Sequence, residues 1–219
     1  MQRFVFASSD EIYPSLGGRY LPIDENHPTE PYSFYGMTKL AGEQVVRYYG
    51  RAHGIPVSIA RFALVTAPRE VLEPSGWLGR FLYLDPMIGT IRSRSGEAAA
   101  DHVASLRQGN KTLLIARDDE GHPYTFHYVD VRDVVIGLEL LLTKPEAVGE
   151  AFNLAGPAAF SFDHAARELS KHTDFPVVEA MIPGPGIHIE HSIAKARSLL
   201  GYAPRFGIND TIRDALVDV

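Results

Sequence analysis

Two short apolar runs flank a helical stretch near the start of the chain, and this order restricts the fold more than any other feature. The runs are RFVFAS at 3–8 and IPVSIARFALV at 55–65. Their β-branched and aromatic residues are typical of strands buried on both faces of a parallel sheet. Between them, Ser33 as N-cap and Gly54 as terminator predict a helix over 34–53. Strand, helix and strand at this spacing predict parallel α/β architecture.

The rest of the chain continues this alternation with shorter elements. The pattern predicts strands at 112–116, 150–156 and 177–182, and helices at 96–109, from about Asp130 to 144, at 161–173 and twice within 193–216. Asp130 and Asp133 are expected to cap their helix. The stretch IRSRSG at 91–96 is predicted to be a flexible loop. No internal repeat is present.

Composition excludes several classes of protein. A net charge of −6 and a lack of Lys/Arg clusters argue against a nucleic-acid surface. No apolar run reaches the roughly 20 residues that cross a bilayer, and the start of the chain does not resemble a signal peptide. With no cysteine, disulfides, thiolate zinc sites and a cysteine nucleophile are excluded. We therefore expect a cytoplasmic protein that binds neither nucleic acid nor membrane.

Tyr35 and Lys39, within YSFYGMTKLAGEQ, stand four residues apart on the predicted helix. Residues i and i+4 share one helix face, so the phenol and the ammonium group should be neighbours. A nearby positive charge favours the ionised phenol, which would make Tyr35 an acid/base group. The alternative is an ordinary surface pair worth a few tenths of a kcal/mol.

The stretch ASSDEIYP, residues 7–14, follows the first predicted strand. Open parallel sheets place their ligand crevice at this carboxyl end, so Ser8, Ser9, Asp10 and Glu11 are candidate site residues. Read alone, the stretch is equally consistent with a Ser/Asp turn.

Together, the strand-end serine, the Tyr-x-x-x-Lys helix and the following strand with its RF pair resemble the extended short-chain dehydrogenase/reductases. More narrowly, they are similar to the NAD-dependent sugar epimerase/dehydratase family. Further similar segments follow in the family's order: YVDVRDVV, EAFNLAG and KARSLLGYAP. The resemblance implies a partial Rossmann-type parallel sheet, with its first strands missing, and a small C-terminal α+β substrate lobe. It places 1–66 and 126–156 in the nucleotide-binding part, and 67–125 and 157–219 in the substrate-binding lobe.

The resemblance also implies roles for individual residues. Tyr35 would be the acid/base group, Lys39 would hold the nicotinamide ribose and lower the pKa of Tyr35, and Ser9 would bind the same substrate oxygen. The cofactor would be NAD, with NADP possible, and its contacts would be Ser8, Tyr35, Lys39 and Phe62. In SDE, Asp10 and Glu11 resemble the acids of the sugar-nucleotide dehydratases, which handle proton abstraction and loss of water. Hydrogen bonding within the loop is the alternative for both.

Departures from the family pattern leave other functions open. The family's Gly-x-x-Gly-x-x-Gly phosphate loop is absent, so we expect the chain to begin at a middle strand and to be incomplete and inactive alone. Tyr124 occupies the place of the family's diphosphate-binding arginine, for which Arg80, Arg117 or Arg132 could substitute. The predicted function is sugar epimerisation or dehydration, with a nucleotide sugar as the leading substrate. An NADPH-dependent carbonyl reductase and a non-catalytic remnant are the alternatives.

Two further expectations concern surfaces. The stretch IHIEHS at 187–192 has poor geometry for a metal, so we predict no metal site there and expect a solvated loop or an edge of the substrate lobe. By resemblance, the Tyr35 helix would form a homodimer interface through Val45, Val46 and Tyr49.

Overall fold

A computed structural model describes residues 3–14 and 18–217 of the chain. Its strands are β1 (Phe4–Ser9), β2 (Val57–Phe62), β3 (Leu64–Thr66), β4 (Leu113–Arg117), β5 (Thr125–Phe126), β6 (Tyr128–Asp130), β7 (Ala151–Leu154), β8 (Phe160–Ser161) and β9 (Val177–Met181). Its α-helices are α1 (Phe34–His53), α2 (Gly79–Leu82), α3 (Leu84–Ser95), α4 (Glu97–Ser105), α5 (Val131–Thr143), α6 (Phe162–Ser170), α7 (Ala194–Leu200) and α8 (Ile208–Leu216). Short 3₁₀ turns occur at Asp10–Ile12, Pro68–Leu72 and Pro145–Ala147.

The chain divides into two compact units. Unit 1 comprises Met1–Val65, His127–Ala158 and Ile189–Phe206; unit 2 comprises Thr66–Phe126, Ala159–His188 and Gly207–Val219. These divisions fall close to the predicted boundaries at 66, 126 and 156. They differ from the prediction at 189–206, which lies in unit 1 because α7 packs against β7 and the Tyr202 hydroxyl donates to the Ala155 carbonyl at 3.1 Å. The assignment of nucleotide and substrate binding to the two parts stays a prediction.

Unit 1 is built on a parallel sheet of order β1-β2-β7. Phe4 pairs with Val57 and Ser9 with Phe62, so β1 and β2 are in register over their full length. Successive strand residues face opposite sides of a sheet. Phe6 lies against Gly42 of α1, whereas Val5 packs on the core cluster that contains Leu141 of α5. The two helices therefore cover opposite faces, as a parallel α/β sheet requires.

Helix α1 begins and ends where the sequence predicts. The Ser33 hydroxyl accepts the Gly36 N–H at 2.9 Å, and Gly54 adopts the left-handed conformation at φ 64°. The predicted interface stripe is wrong at Val46, because this residue is buried in unit 1 and not exposed on the helix surface. Val45 and Tyr49 are exposed, as a stripe would need. The homodimer stays a prediction.

Helix α5 shows one correct and one wrong capping prediction. The Asp130 carboxylate accepts the Arg132 N–H at 2.9 Å and is the N-cap. Asp133 instead accepts the backbone N–H groups of Arg205 and Phe206, each at 3.0 Å. A buried carboxylate needs such donors, and here they attach the end of the 189–206 segment to α5.

Unit 2 contains the parallel pair β4-β9 and five helices within its described residues. The flexible loop predicted at 91–96 is wrong, because Ile91 to Ser95 form the last part of α3. Leu84, Met87 and Ile91 are buried, and their spacing places them on one helix face. Of the helices in 3–14 and 18–217, none is long and apolar enough to cross a membrane.

Candidate active site

Lys39 joins the first turns of α1 to strand β1. Its ammonium group donates to the Ala7 carbonyl at 2.8 Å and lies 5.4 Å from the centre of the Tyr35 ring. The predicted i, i+4 neighbourhood of Tyr35 and Lys39 is therefore present. Tyr35 is 49% exposed, and its hydroxyl has no hydrogen-bond partner among the described residues. A phenol that is open to a ligand and close to a cation has the arrangement that acid/base work needs.

Ser33 connects the start of α1 to the turn that follows β1. The Ser33 hydroxyl caps the helix and also donates to the Glu11 carboxylate. The backbones of Gly36 and Glu11 are in close contact at this point, since a Cβ at Gly36 would lie 2.1 Å from the Glu11 carbonyl oxygen. Glycine at 36 therefore lets Tyr35 approach the strand-end segment, a requirement that the Tyr-x-x-x-Lys pattern does not reveal.

Gly36→Ala is expected to destabilise unit 1 by about 1–3 kcal/mol, because the added methyl forces α1 away from Glu11. Thermal or urea unfolding measures this loss. Gly89→Ala is the matched control, since a Cβ at this α3 position meets no atom within 4 Å. The control should raise stability by about 0.5–1 kcal/mol through helix propensity. Equal effects of the two changes would contradict the close approach.

Ser9 terminates β1 and begins the 3₁₀ turn at Asp10–Ile12. Its hydroxyl accepts the Glu11 N–H at 3.2 Å and donates to Asp10 Oδ1 at 3.2 Å. The side chain is nearly buried. The structure thus orients Ser9 through its own turn, and its predicted contact with a substrate oxygen stays a prediction.

The Asp10 side chain is largely buried and 20% exposed. Burial raises the pKa of Asp10 to about 7, and the neighbouring Glu11 charge raises it further, against the lowering effect of the Ser9 hydrogen bond. A carboxyl group with this pKa carries a proton in a large fraction of molecules at neutral pH, which suits a general acid.

His191 is a neighbour of Asp10 that the sequence interpretation missed. Its Nε2 lies 3.6 Å from Asp10 Oδ2. The expectation of a solvated loop at 187–192 is wrong, because Ile187, Ile189 and His191 are buried. The alternation of Ile187 and Ile189 is a sequence signal that could have indicated this burial.

A buried polar network lies beneath the site, on the α1 face of the sheet. Glu43 accepts from Arg61 at 3.0 and 2.8 Å and from the Ser8 hydroxyl at 2.7 Å. Arg61 also donates to the Tyr13 hydroxyl at 2.9 Å, which donates to Asn153 at 2.8 Å. Burial raises the pKa of Tyr13, so it stays protonated. An arginine within the apolar run of β2 was the available signal, since a buried charge needs a partner.

Two predicted cofactor contacts have structural partners of their own. Ser8 is buried and bonded to Glu43. Phe62 packs against the core cluster that includes Leu154. Their contact with a cofactor stays a prediction.

The arginines considered for a diphosphate differ in how they are held. Arg117 and Arg132 each form ion pairs with carboxylates of their own unit. Arg80 is exposed, and its guanidinium lies 4.1 Å from the centre of the exposed Trp77 ring. Tyr124, at the position of the family arginine, is buried. Arg80 is therefore the arginine of the three that is best placed to meet a ligand.

Unit 2 also contains a cleft of about 760 Å³. It is lined by Asp118, Asp119, Glu120, His122, Pro123, Thr125, Gly184, Pro185, Gly186 and His188. His188 Nε2 donates to Asp118 Oδ2 at 3.1 Å. Three carboxylates at the rim disfavour an anionic diphosphate in this cleft.

Comparison with known proteins relates these contacts to a family. The model of the NAD-dependent epimerase/dehydratase family matches residues 1–83, which contain β1, the 3₁₀ turn and the Tyr35–Lys39 helix. A short-chain dehydrogenase/reductase superfamily protein of Agrobacterium tumefaciens, solved with bound NAD, is 32% identical with a TM-score of 0.87 over 98% of this chain. Residues 1–83 belong to the NAD-dependent epimerase/dehydratase family. The resemblance inferred from the motifs, and the Rossmann-type fold class, are confirmed.

Two further proteins extend the comparison. A protein of Bacillus subtilis, named an uncharacterized UDP-glucose epimerase, is 27% identical over 99% of this chain. The UDP-glucuronic acid 4-epimerase of Bacillus cereus, solved with NAD, is 23% identical with a TM-score of 0.69 over 98% of the chain, a likeness of fold. The chain spans 60% of the B. subtilis protein, 66% of the A. tumefaciens protein and 59% of the B. cereus protein.

Proposed function

We propose that this chain carries the catalytic tyrosine and lysine of an NAD-dependent epimerase or dehydratase that acts on a nucleotide sugar. The observation that carries the proposal is a closed series of contacts: Ala7 to Lys39, Lys39 to Tyr35, and the α1 start through Ser33 to Glu11. It brings the strand end and the exposed phenol together. The UDP-glucose epimerase name of the B. subtilis relative supports the substrate class.

The residues present fit the nicotinamide end of the cofactor. Lys39 uses one of its three N–H donors on Ala7, so two remain for ribose hydroxyls. The Tyr35 hydroxyl, without a partner in the described chain, is free to bond the same ribose and the substrate. When bound, the nicotinamide accepts a hydride from a sugar carbon and can return it. NAD is the proposed cofactor because the A. tumefaciens relative binds it; NADP is the alternative.

The chain's own residues move the protons. As the hydride leaves the sugar carbon, Tyr35 takes the proton of the attached hydroxyl, and a ketone forms. Ser9 donates its single hydroxyl proton to the same oxygen when substrate is present, and it releases Asp10 Oδ1 to do so. In an epimerase, hydride returns to the opposite face of the ketone and Tyr35 returns the proton. In a dehydratase, Glu11 removes a proton from the carbon beside the ketone while Asp10 protonates the departing hydroxyl, and water leaves. Glu11 then returns its proton to that carbon as the hydride returns to the carbon that lost the hydroxyl, so the cofactor is not consumed.

Because the 219 residues are expected to be inactive alone, incubation of the protein in a full-length context with NAD and a panel of UDP- and dTDP-hexoses tests the proposal. Chromatography and NMR of the sugars should show an epimer or a dehydrated keto sugar, without net consumption of NAD. Stoichiometric oxidation of NADPH with a carbonyl substrate would indicate the reductase alternative. No product from any sugar with either cofactor would contradict the proposal.

Glu11→Gln should separate dehydration from epimerisation. In a dehydratase, the variant should still transfer hydride to NAD but should stall at the keto sugar, because the base that removes the second proton is gone. Absorbance at the NADH band and NMR of the sugar report the two steps separately. Glu30→Gln, an exposed acid of the following loop, is the control and should leave both steps unchanged. Normal water loss in Glu11→Gln would make Glu11 a structural partner of Ser33.

A further inference from the structure

His191 is enclosed by aromatic and polar side chains of unit 1. It is 5% exposed, its backbone N–H donates to His127 Nδ1 at 3.0 Å, and its ring centre lies 6.4 Å from that of Tyr13. One ring nitrogen, Nδ1, is buried with no hydrogen-bond partner among the described residues. The other, Nε2, faces Asp10 Oδ2 at 3.6 Å.

The protonation of this imidazole follows from its surroundings. Burial lowers the pKa of His191 to about 3, and repulsion by His127 and His27 lowers it further, so the ring is neutral at physiological pH. A buried acceptor without a partner is tolerated better than a buried N–H without one. The unpaired Nδ1 is therefore the bare nitrogen, and the proton is on Nε2, the atom that faces Asp10.

The Asp10 carboxyl group lies between the Ser9 hydroxyl, which donates to it, and the His191 ring, which is just beyond hydrogen-bond distance. Ser9 donates to Oδ1 at 3.2 Å, and the Nε2–H of His191 lies on the side of Oδ2. A small rotation of the carboxyl group brings Oδ2 within hydrogen-bond distance of Nε2.

We propose that His191 is the positioning residue of Asp10, holding Oδ2 through its neutral Nε2–H while Ser9 holds Oδ1. The use of Asp10 as an acid rests on the proposed function, whereas the contact itself does not. A donor to the carboxylate stabilises the ionised form. Burial and the Glu11 charge raise the pKa of Asp10, and a hydrogen bond from His191 would act against this rise.

The groups around Asp10 and His191 determine in which direction the pKa of Asp10 should change when His191 is replaced. Glu11 and Ser9 lie beside Asp10, and Tyr13, His27 and His127 surround His191. Burial keeps His127 neutral by lowering its pKa to about 4, and burial raises the pKa of Tyr13. Removing the His191 donor should therefore raise the pKa of Asp10.

NMR titration of ¹³C-carboxyl-labelled aspartate in the purified protein, without cofactor or substrate, tests the proposal. Asp10→Asn identifies the Asp10 signal. His191→Leu should raise the Asp10 titration midpoint by about one unit, a tenfold change in proton affinity. His191→Gln, which puts an amide N–H near the Nε2 position, should restore the wild-type midpoint. His27→Gln is the control, because His27 is buried near Tyr13 but does not contact Asp10.

The outcomes separate this proposal from the proposed function. An unchanged midpoint in His191→Leu, or an equal shift in His27→Gln, overturns the positioning role whether or not the protein is active. If circular dichroism shows that His191→Leu is unfolded, His191→Asn replaces it, since its amide lies near Nδ1 and away from Asp10. His191→Asn should then raise the midpoint while His191→Gln does not, and equal midpoints overturn the proposal. Shifted midpoints in a protein that turns over no sugar would contradict only the proposed function.

Discussion

In a full-length context, Tyr35→Phe is expected to lower turnover by about 10²–10⁴-fold, the usual contribution of a positioned acid/base group. The change removes only the hydroxyl, whose proton transfer accompanies the hydride step. That hydroxyl has no partner within the described residues, and the side chain is half exposed. The fold should therefore be unaffected, and the loss should appear in kcat.

Steady-state kinetics with the sugar identified by the substrate panel measures this loss, and unfolding experiments check the fold. Tyr48→Phe is the matched control, because Tyr48 lies on the same helix and is 56% exposed. It should retain wild-type kcat. A kcat within a few-fold of wild type in Tyr35→Phe would contradict the assigned role of Tyr35.

Arg61→Met is expected to destabilise the protein by about 3–5 kcal/mol, because it leaves the Glu43 carboxylate buried without its cation. Glu43 accepts two hydrogen bonds from Arg61 and would keep only the Ser8 hydroxyl and a partly exposed Arg47 at 3.9 Å. The Tyr13 hydroxyl would lose a donor as well. The loss is a large part of the stability of a typical domain.

Urea unfolding followed by circular dichroism measures the change in the free energy of unfolding. Glu97→Gln, which breaks the exposed Arg92–Glu97 ion pair, is the control. It should cost less than about 1 kcal/mol, because both groups are solvated before and after the change. If the two variants lose equal stability, the prediction that the buried Glu43–Arg61 pair stabilises the packing of α1 on the sheet is contradicted.

Local patterns predicted the elements that surround the site. Ser33, Gly54 and the apolar runs gave α1 and its two flanking strands, because caps and strand burial depend on neighbouring residues in the chain. The prediction failed at 91–96, where two arginines suggested a loop. There the burial of Leu84, Met87 and Ile91 stabilises α3 across that stretch. Packing overrides the preference of a polar segment.

The sequence alone determined the family and the pairing of Tyr35 with Lys39, since the i, i+4 spacing on a helix is a local property. Only the tertiary structure showed that position 36 must be glycine because its backbone lies against Glu11. It also showed that His191 is the neighbour of Asp10 and that Glu43 is the ion-pair partner of Arg61. His191 lies 181 residues beyond Asp10 along the chain, and Glu43 meets Arg61 across the gap between a helix and a strand. Contacts of this kind depend on how the backbone places distant segments together. The desolvation that raises the pKa of Asp10 depends on the same packing. Neither these contacts nor this pKa shift can be predicted from the spacing of residues along the chain.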